Sequence, residues 1–424
     1  MKPWVWLAAG VVACAIGWSY MHRILLPWQQ YFHVEAGSMK AALGDLYSPW
    51  YGSRELLFHG KNPYGAEVTH GIQLAFYGHD VVPENSSAGR PVDEQRFAYP
   101  VYVVFLLRPV ARLDFEQAQK FAPIPLGLAV AASVCFWLSV LHWRPGLVYG
   151  SAVLLVLAQP QVAQGLRLRQ IGFIVVFFLA LGTWLVVRSS LLAGGAVLAL
   201  ATIKPQMVVL PIAWILIWSL GDIRQRWRLP AAFFGAIALL VGAGEWILPG
   251  WPRDFLAGLV AYRRYGPVTT LLQLVFGNMG GLIAGTLVVA GLLAWAWGQR
   301  KCAAESLKFT EVLSAVLLGS SLALPLMSPF NQALLILPIL QLMKSWAILP
   351  RIVRVIFAVF VSWPFVAELV LLLFPPSLRS VRLTPLLPSI LVVLFPFALA
   401  GLQIVRNAQT RTDQNESLSQ YVSH

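Results

Sequence analysis

The sequence predicts an all-α, polytopic integral membrane protein, and three observations predict it. Of its 424 residues 58% are hydrophobic and only 12% charged, where a soluble domain carries about a quarter charged residues. Apolar runs near membrane-spanning length recur from one end of the chain to the other. Inside lipid only helices or closed barrels satisfy every backbone N–H and C=O, and the alternation that marks a barrel strand is absent.

The first run, near 4–20, has one basic residue and a short apolar core. A cleaved leader, or a loose lipobox ending at Cys14, would share those features, but the many runs that follow favour an uncleaved first helix. Further spans are expected near 120–141, 147–163, 171–187, 190–203, 206–220, 229–248, 279–297, 310–325, 331–343, 352–373 and 385–405, about twelve in all. The apolar stretch 99–112 is too short to span comfortably and reads as a juxtamembrane or re-entrant helix. One membrane domain, 1–405, would be followed by a polar inner tail, 406–424. Cys14, Cys135 and Cys302 are scattered and form no disulfide or metal framework.

Charge orients this arrangement. With the N-terminus inside, 14 of the 31 Lys and Arg fall on inner segments, among them Arg226 in the RQRWR cluster. Nine others lie between residues 21 and 120, in a loop too long for the positive-inside rule to count. That leaves 8 on short outer segments: Arg167, Arg169, Lys204, Arg253, Arg263, Arg264, Arg379 and Arg382. The rule disfavours basic residues there. Headgroup snorkelling explains any single one; Arg167, Arg169 and Lys204, flanked by apolar spans, point equally to a bound anion such as a phosphate. The net charge of +13 is spread over both faces, which argues against nucleic acid.

The long first outer loop, 21–119, holds the stretch GDLYSPWYGSRELLFHGKNPYG. Ser48 followed by Pro49 reads as an N-cap and first helical residue, and Gly60 as the terminator. Asp45 would then lie just before the positive end of a helix, which favours its ionised form. By itself it is an ordinary loop aspartate. With basic groups on later outer loops, it suits transfer of a sugar from a lipid phosphate: the cations hold the phosphate, and the carboxylate takes the acceptor's proton. No metal is required, and the His70, His79 and Asp80 spacing does not define a metal site.

Five blocks carry a resemblance: Asp45 with Tyr47, Tyr51 and GKNPY; Phe97-Ala98-Tyr99-Pro100 with Arg108-Pro109-Val110-Ala111; LRQIGF at 168–173; ATIKPQ at 201–206; and LMSPFNQ at 326–332. In this order they resemble glycosyltransferase family 87, GT-C-type membrane enzymes that use polyprenyl-phosphate sugars, the best known being polyprenol-phosphate-mannose-dependent α-mannosyltransferases. Arg169 stands where the family usually has Gly, Gly172 where it has Asn, and Asn331-Gln332 where an aromatic and a His are common. The resemblance implies a GT-C-like fold and a hexosyl- or pentosyltransferase without cofactor, inverting, with Asp45 as base. It implies Lys204, Arg169, Arg167, Gln170, Arg263 and Arg264 at the donor phosphate, and Tyr51, Tyr64, Tyr99, Asn331 and Gln332 at the sugar or acceptor. The partners implied are a polyprenyl-phosphate-linked sugar, a glycolipid, glycan or protein acceptor, and the bilayer. The implied location is a bacterial inner, plasma membrane with the site on its outer face.

Two other functions compete. A transporter or flippase favours inverted repeats and ionisable groups in the membrane interior; the expected spans are nearly free of charge, Glu368 being the main exception. O-antigen polymerases and ligases tend to carry their large outer loop late in the chain, whereas here it follows the first span.

Overall fold

The computed structural model describes residues 3–28, 43–78, 80, 95–144, 146–262, 270–326, 328–375 and 399–408. Among these every regular element is helical. Helix α1 (Pro3–Tyr20) runs into a π-helical turn, Met21–Leu25. Four short helices follow: α2 (Tyr47–His59), α3 (Ala66–Tyr77), α4 (Val103–Ala111) and α5 (Phe115–Phe121), the last leading into α6 (Pro123–Val140). Next come α7 (Val148–Ala158), α8 (Pro160–Leu168), α9 (Gly172–Val187) and α10 (Leu191–Leu200), which tightens into a 3-10 turn, Ala201–Ile203. The chain continues through α11 (Pro205–Leu220), α12 (Ile223–Arg226), α13 (Arg228–Ile247), α14 (Trp251–Tyr262), α15 (Leu271–Gln299) and α16 (Leu307–Ala323). A 3-10 segment, Pro329–Leu335, precedes α17 (Ile336–Lys344) and α18 (Arg351–Leu373), and a final helix α19 covers 399–408.

The chain is an all-α integral membrane protein, but its helices do not divide into twelve simple spans. Among the described residues five are long and apolar enough to cross: Trp4–Trp28, Phe115–Val140, Arg228–Ile247, Leu271–Gln299 and Arg351–Leu373. A sixth crossing arises if Gln161–Leu168 and Gly172–Val187, bent by 117°, count as one. The expected span 147–163 is cut at Gln159, whose ψ of 134° is extended because the ring of Pro160 disfavours helix in the residue before it. Lys204-Pro205 ends the run 190–203 in the same way, with Lys204 at φ −134°. The run 331–343 begins as 3-10 helix, and most of 385–405 lies outside the described residues. The stretch 99–112 forms only α4, nine residues packed on α2 by Val103, Val104, Leu107 and Ala111.

The layers follow from which faces are apolar. Helix α9 is apolar all round and buried, so it lies at the centre between α6 and α10. Helix α13 packs outside α10, and α15 outside α16. These peripheral helices turn large side chains outward: Leu239 is 76% and Trp246 87% exposed. Water would penalise such a surface and lipid does not.

Basic residues expected on the inner face are bonded to backbone carbonyls or to a carboxylate. Arg226 Nη1 donates to the carbonyls of Trp218 and Arg300, 2.7 and 3.0 Å away, and its Nη2 to that of Cys302. The same guanidinium therefore ties the end of α11 to the turn after α15. Lys344 Nζ donates to Leu141 O at 2.6 Å. Arg406, the first residue of the expected tail, is 1% exposed on α19 and pairs with buried Glu311 at 2.6 Å. An impermeant thiol reagent on intact cells should label a cysteine placed in loop 21–119 but not one placed at position 226. Labelling at 226 from outside would reverse the assigned sidedness.

Candidate functional site

The loop before α2 is sewn onto the end of α8. Gly44 has a left-handed φ of 65°, and a Cβ there would lie 3.0 Å from Leu168 O and 3.2 Å from Arg169 Nη1. Only glycine allows both this backbone and this approach. Its carbonyl accepts from Tyr47 N, and Asp45 N donates to Leu168 O at 2.9 Å. That carbonyl ends α8 and has no intrahelical partner, so the contact anchors Asp45 to the α8–α9 bend.

The start of α2 differs from the expected cap. The helix begins at Tyr47 after Leu46, with no side-chain cap, and Ser48 lies inside its first turn. Ser48 Oγ instead donates to Gln95 Oε1 at 3.3 Å. The Gly44 turn starts the helix two residues earlier, which brings Asp45 directly ahead of its N-terminal end. Gly60 does terminate it, at φ 67°, accepting the left-handed position.

The bend between α8 and α9 closes in the same way. Arg169 takes the left-handed conformation, φ 56° and ψ 51°, with its N–H on Leu166 O, while Gln170 N bonds Gly165 O at 2.9 Å. This is a helix stop that ordinarily favours glycine. Arg169 holds it with a bond from its Nε to Gln119 O at 3.1 Å. Arg167 is half-buried on the last turn of α8 and feels the charge of Arg169.

Lys204 enters from the break between α10 and α11. Its Nζ donates to Oε1 of the buried Gln170 at 3.3 Å and sits 5.4 Å over the Phe330 ring. Although the residue's surface is only partly covered, protein crowds its ammonium. That desolvation lowers its pKa to about 8, against the opposing support of the Asp45 charge. Tyr99 also feels Asp45; burial first, then that carboxylate, push its phenol well above the ordinary value, so it stays a neutral donor.

Lateral contacts fix the frame. Tyr64 Oη donates to Tyr99 O at 2.6 Å, and Tyr102 Oη meets Thr202 O and Oγ1 at 3.0 and 2.9 Å. Gly165 lets three elements converge: a Cβ there would lie 2.4 Å from Phe173 Cζ and 2.8 Å from Phe330 Cβ. Gly165→Ala should therefore lower stability by about 1–3 kcal/mol, the usual scale of overpacking. Thermal unfolding in detergent measures this; an unchanged midpoint would mean that the Phe330 segment yields freely.

The structure thus brings together Asp45, Tyr99, Lys204, Gln170 and Arg169 from segments far apart in the chain. Asn331 and Gln332 follow Phe330 and are buried; Asn331 Oδ1 has no hydrogen-bond partner among the described residues. Tyr51 stands apart from this group in its contacts: it stacks on Tyr47 and its hydroxyl fills the space beside Gly71 of α3, near the Glu55, Lys61 and Glu67 charges. Arg263 and Arg264 lie outside the described residues, as does His79, while His70 pairs with Asp80 at 2.6 Å. Gly44, Gln119 and Thr202 position the site and are not among the expected site residues; the Gly-Asp dipeptide was the one local signal for the first. Compared with protein-family models, curated proteins and solved structures, the chain matches none.

Proposed function

We propose that the chain is a membrane glycosyltransferase that transfers a sugar from a polyprenyl-phosphate donor to an acceptor at the outer face of a plasma membrane, with inversion. The observation that carries this reading is the meeting of Asp45 with Lys204 and Gln170 at the bend of a broken apolar helix. A carboxylate beside an enclosed ammonium supplies two complementary roles at one place. The ammonium receives the departing lipid phosphate, with Arg169 and Arg167 adding charge from the same bend and Arg263 and Arg264 assigned there by the sequence. The carboxylate takes the proton of the acceptor hydroxyl as it attacks the anomeric carbon. The leaving group departs as a phosphate, so no acid is needed to protonate it, and no metal or cofactor enters.

Tyr99 donates its phenol to sugar or acceptor oxygens beside Asp45, with Tyr64 holding its backbone, while Tyr51 reaches an extended acceptor. Asn331 and Gln332 offer buried amides of the type that sort sugar hydroxyls. A GT-C-like arrangement with shorter apolar helices completing the crossings fits this chemistry. The sugar is mannose or another hexose or pentose, and the acceptor a glycolipid, glycan or protein. Purified protein incubated with a panel of polyprenyl-phosphate sugars and membrane extract tests the reading. Sugar transfer from a lipid-phosphate donor is the expected result; lipid translocation without transfer would favour a flippase instead.

A further inference from the structure

Glu368 plays no part in the site just described. It lies on α18, within the apolar rod Arg351–Leu373, and is 1% exposed. Its Oε2 has no hydrogen-bond partner among the described residues. Helices α1 and α7 face it. Where Gly17 of α1 would begin a side chain, that point is 3.1 Å from Ala158 O and 3.6 Å from Glu368 Oε2. Gly17 therefore leaves a gap into which a carboxyl oxygen and a backbone carbonyl both turn.

Ala158 is the last residue of α7, and the following helix opens with Pro160, which brings no N–H to it. A last-turn carbonyl lacks an intrahelical partner and carries the negative end of the helix dipole. Ala13, Ala158 and Phe365 close the junction on one side, and Ile24 and Leu371 on the other together with Tyr20, whose phenol feels the Glu368 charge. The π-helical turn Met21–Leu25 starts immediately after Tyr20, and such turns gather at functional positions. An ionised carboxylate here would be desolvated and would face a second negative group. A carboxylic acid has the one O–H donor that a bare carbonyl accepts.

We propose that Glu368, Ala158 O and the gap at Gly17 form a buried proton-binding site at the α1–α7–α18 junction. The bound proton stays on Glu368, whose O–H donates a hydrogen bond toward the carbonyl at the end of α7. The other titratable groups on the elements packed there are Cys14 and Tyr20 on α1 and His22 and Arg23 on the exposed face of the π-helical turn. Helix α8, which touches α1, carries Arg167 on its last turn. Glu368 is the carboxyl among them. Because α8 begins at this junction and ends at Leu168, the proton sits at one end of the segment whose other end anchors Asp45. The inference does not depend on the glycosyltransferase reading.

An apolar carbodiimide tests it. The carboxyl oxygen adds to the carbodiimide carbon, the acid proton moves to a carbodiimide nitrogen, and nothing leaves, so the peptide gains the mass of the whole reagent. Full-length protein in lipid nanodiscs should be labelled at Glu368, with labelling falling as pH rises and unaffected by Na⁺. Peptide mass mapping locates the adduct on the native chain, whether or not variants fold. Glu368→Gln should fold and lose the adduct, together with an infrared carboxylic-acid band present in the native protein. Absence of both the adduct and the band at neutral pH would overturn the proposal. Protection by Na⁺ at constant pH would also overturn it, by making the occupant a metal cation.

Discussion

Asp45→Asn is expected to lower turnover with a lipid-linked sugar donor by roughly 10²- to 10⁴-fold, the usual contribution of a general base. Asparagine keeps the size and shape of the side chain but does not accept the proton. The anchoring bond at this residue is made by its backbone N–H to Leu168 O, so the substitution leaves the seam between the two segments in place. Donor affinity should survive at a pH low enough to keep Lys204 protonated without the Asp45 charge, since Lys204 and the α8–α9 bend carry the phosphate contacts. The check is a pair of measurements on one folded variant, turnover and donor binding. Near-normal turnover would return Asp45 to the role of a loop residue, and loss of binding along with turnover would assign it to the donor instead of the base.

Lys204→Ala is expected to do the reverse. Donor binding should weaken by about 1.5–3 kcal/mol, the scale of a charge-assisted hydrogen bond, or roughly 10- to 150-fold. The substitution also leaves Gln170 Oε1 without the ammonium that donates to it, and Gln170 is itself 2% exposed. Titration adds a second signature. Desolvation lowers the Lys204 pKa to about 8 in the free protein. The ammonium is the form that attracts phosphate, so affinity should be flat below that value and fall as pH rises through it. Bound phosphate stabilises the ammonium and moves its titration upward, so the loss appears in donor affinity before it appears in turnover at saturating donor. Equal affinity in a folded Lys204→Ala protein, measured by isothermal titration with a polyprenyl-phosphate sugar, would reject the role.

Several features of the site were legible in the residues because they are local. Gly60 reads as a helix stop, and its φ of 67° is the conformation that a residue without Cβ adopts most freely. Lys204 reads as a charge at a break because the following Pro205 ends whatever helix precedes it. Ser48 misled, since Ser-Pro is a common helix start, yet Gly44 and the contact to Leu168 O begin the turn earlier. The capping preference is worth about 1 kcal/mol, and a tertiary seam of this kind outweighs it. Against twelve expected spans, five helices among the described residues are long and apolar enough to cross by themselves, for a related reason. Hydropathy counts apolar residues but is blind to Gln159-Pro160 cutting the run 147–163 and to the 117° angle that the Arg169 stop sets between Gln161–Leu168 and Gly172–Val187.

Composition alone determined that the protein is an all-α membrane protein, because lipid leaves the backbone no other way to satisfy its polar groups across so many apolar runs. The order of its polar blocks determined where a site should be sought. What only the tertiary structure decided is which of those residues meet. Asp45 and Lys204 are separated by all of α2 to α10, and nothing periodic in the sequence couples them. Their approach follows from an orphan carbonyl at the end of α8 finding the Asp45 N–H, and from the Gln170 amide finding the Lys204 ammonium. The same holds for Glu368, an isolated acid in the sequence, whose surroundings become a site only when Gly17 and the end of α7 close around it. Helix ends leave polar groups that must be partnered somewhere, and where they find partners is a property of the fold.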